Sequence, residues 1–200
     1  MNSTPECVTK TPETKAREKE AREKLAVIFS DAEQRDNSKV NPELGKTAFD
    51  VANIPNNAAV DYDLPVRFHV RDGAKDQPSV WDGFWPIFDN FHGLHGVLHS
   101  FTDTRDNLEK GFSRNLYVGL NGISTFTKDQ LQKELFTSIP LERLLLETDA
   151  PFLTPAPFRG NINKPEYVRL VAEYWAKQRN IDFDVLSQAT LHNTKELFGI

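Results

Sequence analysis

Leu144-Leu145-Leu146-Glu147-Thr148-Asp149-Ala150-Pro151 is the stretch that decides how the chain folds. Three leucines run unbroken into two acids and a proline, the pattern of a strand buried on both faces in a parallel sheet. Burying an unpaired carboxylate costs several kcal/mol, so acids at the end of such a strand call for a bound metal, a basic partner or exposure. Such exposure would be at the carboxyl edge of the sheet, where α/β proteins place their chemistry.

Working outward, the same grammar repeats. Residues 64–70, 96–99 and 116–120 read as strands that precede 143–148. Between them lie helical patterns. Trp81, Phe84, Trp85, Phe88 and Phe91 form an aromatic core face, with Pro86 placed in the helix's first turn. Residues 102–110 read as a capped helix closed by Gly111. Thr127 with Gln130 opens another, carrying Leu131, Leu135 and Ile139 and stopped by Pro140. After 143–148, Pro151, Pro155 and Pro157 force a loop over the sheet's end. Pro165 starts a long amphipathic helix with Val168, Val171, Ala172 and Trp175 inward, and 185–198 forms two short terminal helical turns. Asn41-Pro42 is a further helix start, running to Pro55. Strands alternating with helices at this pitch imply an α/β fold with a parallel sheet and right-handed crossovers.

The chain has 200 residues, enough for one good core with an appended arm. A mean hydropathy of -0.52 and an apolar fraction of 38% suit a domain with a solvated extension. That extension is residues 1–41, a polar leader, partly helical or disordered, whose run 15–24 favours helix with Glu18/Arg22 and Glu20/Lys24 at i,i+4. Residues 42–200 are the expected domain. A net charge of -5 and a pI near 5.6 argue against a nucleic-acid coat protein but leave room for an enzyme with a local basic mouth. The single cysteine, Cys7, rules out an intrachain disulfide and a thiolate metal cage. No apolar run approaches the roughly 18 residues of a membrane span, and polar residues follow Met1, so a cytoplasmic protein is expected.

Two strands end in histidine, His69 and His99, and the fourth in Asp149. Their spacings correspond to one and two β/α units. Imidazole and carboxylate at the ends of neighbouring parallel strands converge where Mg²⁺, Mn²⁺ or Zn²⁺ can sit, and Asp149 can orient a metal-bound water and take its proton. The bland alternative is a set of hydrogen-bonded strand-end residues. Arg71 shares parity with His69 and would grip a phosphate oxygen at the same mouth, or else pair with Asp72 or Asp103. Arg159 is a second anion hook, or a surface salt bridge. An open sheet binding a phosphate ligand would need a Gly-rich loop, which is missing.

These pieces give residues 48–200 a resemblance to the TatD family of metal-dependent deoxyribonucleases, (β/α)₈ barrels of the amidohydrolase-like superfamily. The matching motifs are Leu64-Pro-Val-Arg-Phe-His-Val-Arg-Asp, Gly96-Val-Leu-His-Ser-Phe, Gly119-Leu-Asn-Gly-Ile-Ser-Thr-Phe, Ile139-Pro-Leu-Glu-Arg-Leu-Leu-Leu-Glu-Thr-Asp-Ala-Pro and Asn193-Thr-Lys-Glu-Leu-Phe-Gly. The resemblance implies metal ligation by His69, His99 and Asp149, a catalytic role for Asp149, and 3′ to 5′ cleavage of DNA or a related phosphoester. It departs from the family in having no His-x-His pair, no four-strand pattern before residue 41, Phe158 where many members carry histidine and Lys164 where glutamate is usual. The expectation is a partial barrel of about four strands, matching the family's carboxyl half. Its open sheet edges would favour self-association, and the missing ligands raise the alternative of an inactive binding or assembly module.

Overall fold

The computed structural model describes residues 59–72 and 78–200. The polar leader, the 41/42 boundary and the helix expected to run to Pro55 lie outside them. The chain divides into two units, Met1–Leu64 and Pro65–Ile200. Of the first, only 59–64 are described, with 59–61 helical; the second carries everything below.

Four short strands, β1 (Val66–Phe68), β2 (Gly96–Leu98), β3 (Tyr117–Leu120) and β4 (Leu144–Leu146), form one sheet in sequence order. Every pairing is parallel, with Val66 opposite Gly96, Val97 opposite Tyr117 and Val118 opposite Leu144. β2 and β3 are buried along their whole length, and so are the first two leucines of β4, as unbroken apolar runs require. The helices that follow are α1 (Trp81–Asp89), α2 (Arg105–Ser113), α3 (Ile123–Phe126), α4 (Gln130–Ser138), α5 (Val168–Gln178) and α6 (Phe183–Phe198).

Strand alternation sorts the side chains into two sets. Phe68 meets the rings of Phe84 and Phe88 of α1 at centroid distances of 5.5 Å, and Leu98 packs against α2. The opposite set changes character along the strands. At the amino end Val97, Tyr117 and Leu145 cluster with Leu197 of α6; at the carboxyl end stand His99, Asn121, Glu147 and Asp149. One face therefore carries both a core and a polar rim.

Several local boundaries differ from the sequence expectations, each for a packing reason. Pro86 lies inside α1 rather than in its first turn. An interior proline costs about 3 kcal/mol or more, which burial of Trp81, Trp85 and Phe88 at about 1.5–3 kcal/mol each offsets. Gly111 does not end α2 but lies buried within it, because a Cβ there would come within 2.7 Å of Leu98 Cδ1. The cap of α4 is Asp129, whose carboxylate accepts from the N–H groups of Leu131 and Gln132. Leu131 accordingly points outward, 76% exposed, while Leu135, Phe136 and Ile139 are buried.

The expected pair of terminal turns is one helix, α6, capped by Asp182 and closed by Gly199 in the left-handed region at φ 64°. Its buried face is Leu186, Thr190, Asn193 and Leu197. Two polar members disguise that stripe in the sequence: Asn193 Nδ2 donates to the carbonyls of Leu141 and Leu144, and the Thr190 hydroxyl to Leu186 O. The short α3 was not anticipated. Its Ser124 hydroxyl accepts from the Trp175 indole N–H at 2.8 Å, which ties it to α5.

Two substitutions in α4 separate burial from mere hydrophobicity. Phe136→Ala should cost about 3–5 kcal/mol in denaturant unfolding, whereas Leu131→Ala should stay within about 0.5 kcal/mol.

Candidate functional site

β2, β3 and β4 each end in a polar residue of the same set, and the three ends meet. His99, 5% exposed, lies between two carboxylates. Its Nδ1 is 2.5 Å from Glu147 Oε2, and its Nε2 is 2.8 Å from Asp149 Oδ1. The other Glu147 oxygen accepts the Ser100 backbone N–H at 2.6 Å. The other Asp149 oxygen accepts from Asn121 Nδ2 at 3.0 Å, and the same amide nitrogen donates to the Ser100 hydroxyl. Asn121 Oδ1 takes the Ile123 N–H, which settles which way the buried amide faces. Ser100 and Asp149 both have positive φ, 54° and 56°, uncommon for residues with a side chain, where the chain turns off the sheet.

A neutral imidazole has one ring N–H to give. With that proton on Nδ1 toward Glu147, Nε2 turns a lone pair toward the Asp149 carboxylate. Two arrangements satisfy the sandwich: an imidazolium donating on both sides, or a cation shared between Nε2 and Oδ1. The second matches divalent-metal chemistry, because nitrogen and oxygen donors about 2.0–2.2 Å from one ion lie roughly 3 Å apart. The donor set thus fits one edge of a metal's coordination shell. Among the described residues no three His, Cys, Asp or Glu groups enclose a cation by themselves.

The loop beyond Asp149 is held over this rim by Asn163, buried to 3% exposure. Its Nδ2 donates to Thr148 O at 2.7 Å and Phe152 O at 2.6 Å, and its backbone N–H to Pro151 O. Ala156 N–H reaches the Thr125 hydroxyl of α3 at 3.0 Å. Gly122 permits the approach, since a Cβ there would fall 1.8 Å from Leu153 O.

Of the residues singled out in the sequence, the structure brings His99 and Asp149 into direct contact. His69 is exposed on the neighbouring strand end, its ring centroid 5.6 Å from that of His99. Arg71 is exposed beyond the end of β1. It lines a hollow of about 280 Å³ with Asp72, Asp103 and Asp129, whereas His99, Glu147 and Asp149 line another of about 420 Å³ together with Arg67. β1 ends at Phe68, so strand alternation no longer fixes the direction of Arg71. Arg159 lies exposed, its guanidinium carbon 3.5 Å above the Phe126 ring. The sequence marks Glu147 only as one of two strand-end acids and gives Asn121 and Arg67 no site role. Glu147 stands two residues before Asp149 and Arg67 two before His69, so strand alternation alone could have flagged both; nothing local marked Asn121.

The TatD related DNase family model matches residues 51–199. The chain belongs to the TatD family. It is 35% identical over 142 residues to a Bacillus subtilis protein named "Uncharacterized metal-dependent hydrolase YabD", covering 71% of this chain and 54% of that one. It is 34% identical over 147 residues to the "3′-5′ ssDNA/RNA exonuclease TatD" of Citrobacter rodentium, covering 71% and 54%. The crystal structure of YJJV, a TatD homolog from Escherichia coli K12, superposes with a TM-score of 0.69 at 26% identity, over 82% of this chain and 61% of that one. A TatD family hydrolase from Entamoeba histolytica, at 17% identity and a TM-score of 0.62, shares the fold. This TatD-family sheet with its flanking helices is accordingly part of a (β/α)₈-type barrel, and the chain spans about half the length of the curated relatives it matches. Among the described residues no helix is long and apolar enough to cross a membrane.

Asn121→Leu should leave Asp149 and Ser100 short of a buried donor. An unsatisfied buried group costs about 1–3 kcal/mol, so unfolding stability should fall by at least that much.

Proposed function

We propose that this TatD-family chain works as, or within, a metal-dependent phosphodiesterase that removes nucleotides from the 3′ end of single-stranded nucleic acid. The observation that carries it is the His99 imidazole held between Glu147 and Asp149, with Nε2 and Oδ1 2.8 Å apart. Family membership and the exonuclease name of the Citrobacter rodentium relative support the same reading.

His99 and Asp149 would hold one divalent ion, Mg²⁺, Mn²⁺ or Zn²⁺, with His69 as a further donor from the adjoining strand end. Such an ion supplies a nucleophilic water at neutral pH and offsets charge on the phosphoryl oxygens. Asp149 would take the proton of the attacking water, its carboxylate kept in orientation by the Asn121 amide. Glu147 holds the other ring nitrogen of His99, Nδ1. Arg67, which lines the same hollow, is placed to meet a phosphate. In this reading Arg71 and Arg159 would engage more distant phosphates, Arg159 by leaving the Phe126 ring.

A second reading rests on the sheet itself. β1 and β4 stand at its two ends with no further strand beside them among the described residues. Unpaired edges recruit other strands, so the chain would associate with a copy of itself and act as an assembly module. Light scattering decides this: a dimer or larger species at tens of micromolar supports it, and a monodisperse monomer removes it.

For the hydrolase, single-stranded DNA and RNA labelled at either end should be shortened from the 3′ terminus when Mg²⁺ or Mn²⁺ is added to chelator-treated protein. Asp149→Asn should lower the rate by about 10²-fold or more, the usual loss with a general base. Absence of cleavage with every divalent ion tried would defeat the catalytic reading.

A further inference from the structure

We propose that Glu147 is a positioning residue that fixes the tautomer of His99, and that Gly119 exists to make room for it. The inference rests on the reading of His99 as a metal ligand and adds how its ligating nitrogen is kept available.

A neutral histidine divides its population between two tautomers, and only the nitrogen without a proton can bind a cation. At His99 the nitrogen facing Asp149 is Nε2. Keeping Nε2 unprotonated requires a strong acceptor at Nδ1, and Glu147 Oε2 occupies that position at 2.5 Å. A carboxylate can only accept there, so it favours the Nδ1–H form against the pull of Asp149 on Nε2, 2.8 Å away; an amide could present either end and would leave Asp149 to draw the proton to Nε2. Glu147 is itself immobilised, since its second oxygen receives the Ser100 N–H at 2.6 Å. This is how an outer carboxylate orients a ligating histidine and raises its basicity.

Gly119 supplies the space. It lies on β3 opposite Leu145, and its φ is ordinary, so backbone conformation does not demand glycine. A Cβ at 119 would fall 2.1 Å from Glu147 Oε1, 2.4 Å from its carboxyl carbon and 3.0 Å from Oε2. Any side chain there displaces the carboxylate from His99. Two substitutions on different strands should therefore produce one defect: Glu147→Gln removes the charge in place, and Gly119→Ala removes the carboxylate from its place.

The experiment has two readouts. Long-range ¹H–¹⁵N correlation spectra of histidine-labelled, metal-free protein at alkaline pH report which His99 nitrogen is protonated, and calorimetry with Mn²⁺ and Zn²⁺ reports affinity. The expected result is the Nδ1–H form in the unaltered protein, a shift toward Nε2–H in both variants, and a fall in metal affinity of about 10–100-fold. An Nε2–H form in the unaltered protein overturns the proposal without any variant. So does a tautomer unchanged in Glu147→Gln or Gly119→Ala, even with reduced thermal stability, because a purely structural ion pair would cost stability and leave the proton where it was. If the unaltered protein binds neither ion yet holds the Nδ1–H form only while Glu147 is present, the metal reading fails and the positioning role stands.

Discussion

An imidazole with almost no access to water, flanked on both sides by carboxylates, is the constraint around which the rest of this structure is arranged. Each of the three groups would be costly to bury alone, and close contact with hydrogen bonds to the outer carboxylate oxygens offsets that cost. The Ser100 N–H donates to Glu147 and the Asn121 amide to Asp149, the amide itself fixed by the Ile123 N–H. The apparatus that holds His99 is thus built largely from backbone N–H groups and one amide on the strands and turns of the sheet, so it is as rigid as the sheet is.

That rigidity comes from packing below the rim. The same strand faces that present polar groups at their carboxyl ends bury Val97, Tyr117 and Leu145 against Leu197 at the other. On the opposite side the aromatic face of α1 and the glycine-permitted approach of α2 lock β1 and β2 in register. A parallel sheet with hydrogen bonds on regular spacing places residues of equal height side by side. His99, Asn121 and Glu147, far apart in the chain, become neighbours at the strand ends, and the turn after β4 brings Asp149 back to His99. The proline-rich segment after Asp149 is then pinned by Asn163 and α3, which keeps the rim from being covered at random.

The chain's relation to its family has a physical side. It spans about half the length of its curated TatD relatives, and the described sheet brings His99 and Asp149 into contact, with His69 one strand away. His69 and Arg67 are exposed beside that pair, so this side of the sheet is open to solvent there.

Much of this was readable beforehand. The unbroken leucines of β4, the repeated strand and helix pitch, and the placement of His99 and Asp149 at strand ends follow from local periodicity, because strand parity and hydrophobic runs are properties of neighbouring residues. What periodicity could not supply was anything depending on what lies across a gap. Pro86 inside α1, Gly111 within α2 and the single length of α6 were decided by partners on other elements, whose burial outweighs local preference. Glu147 and Gly119 make the point most sharply: one is a second acid on a strand and the other an ordinary strand glycine until the register sets them against each other beside His99. Sequence alone determined which residues could form a parallel sheet and which types stood at its chemical edge. The tertiary structure decided which of them touch, since distance and orientation between strands are set by packing.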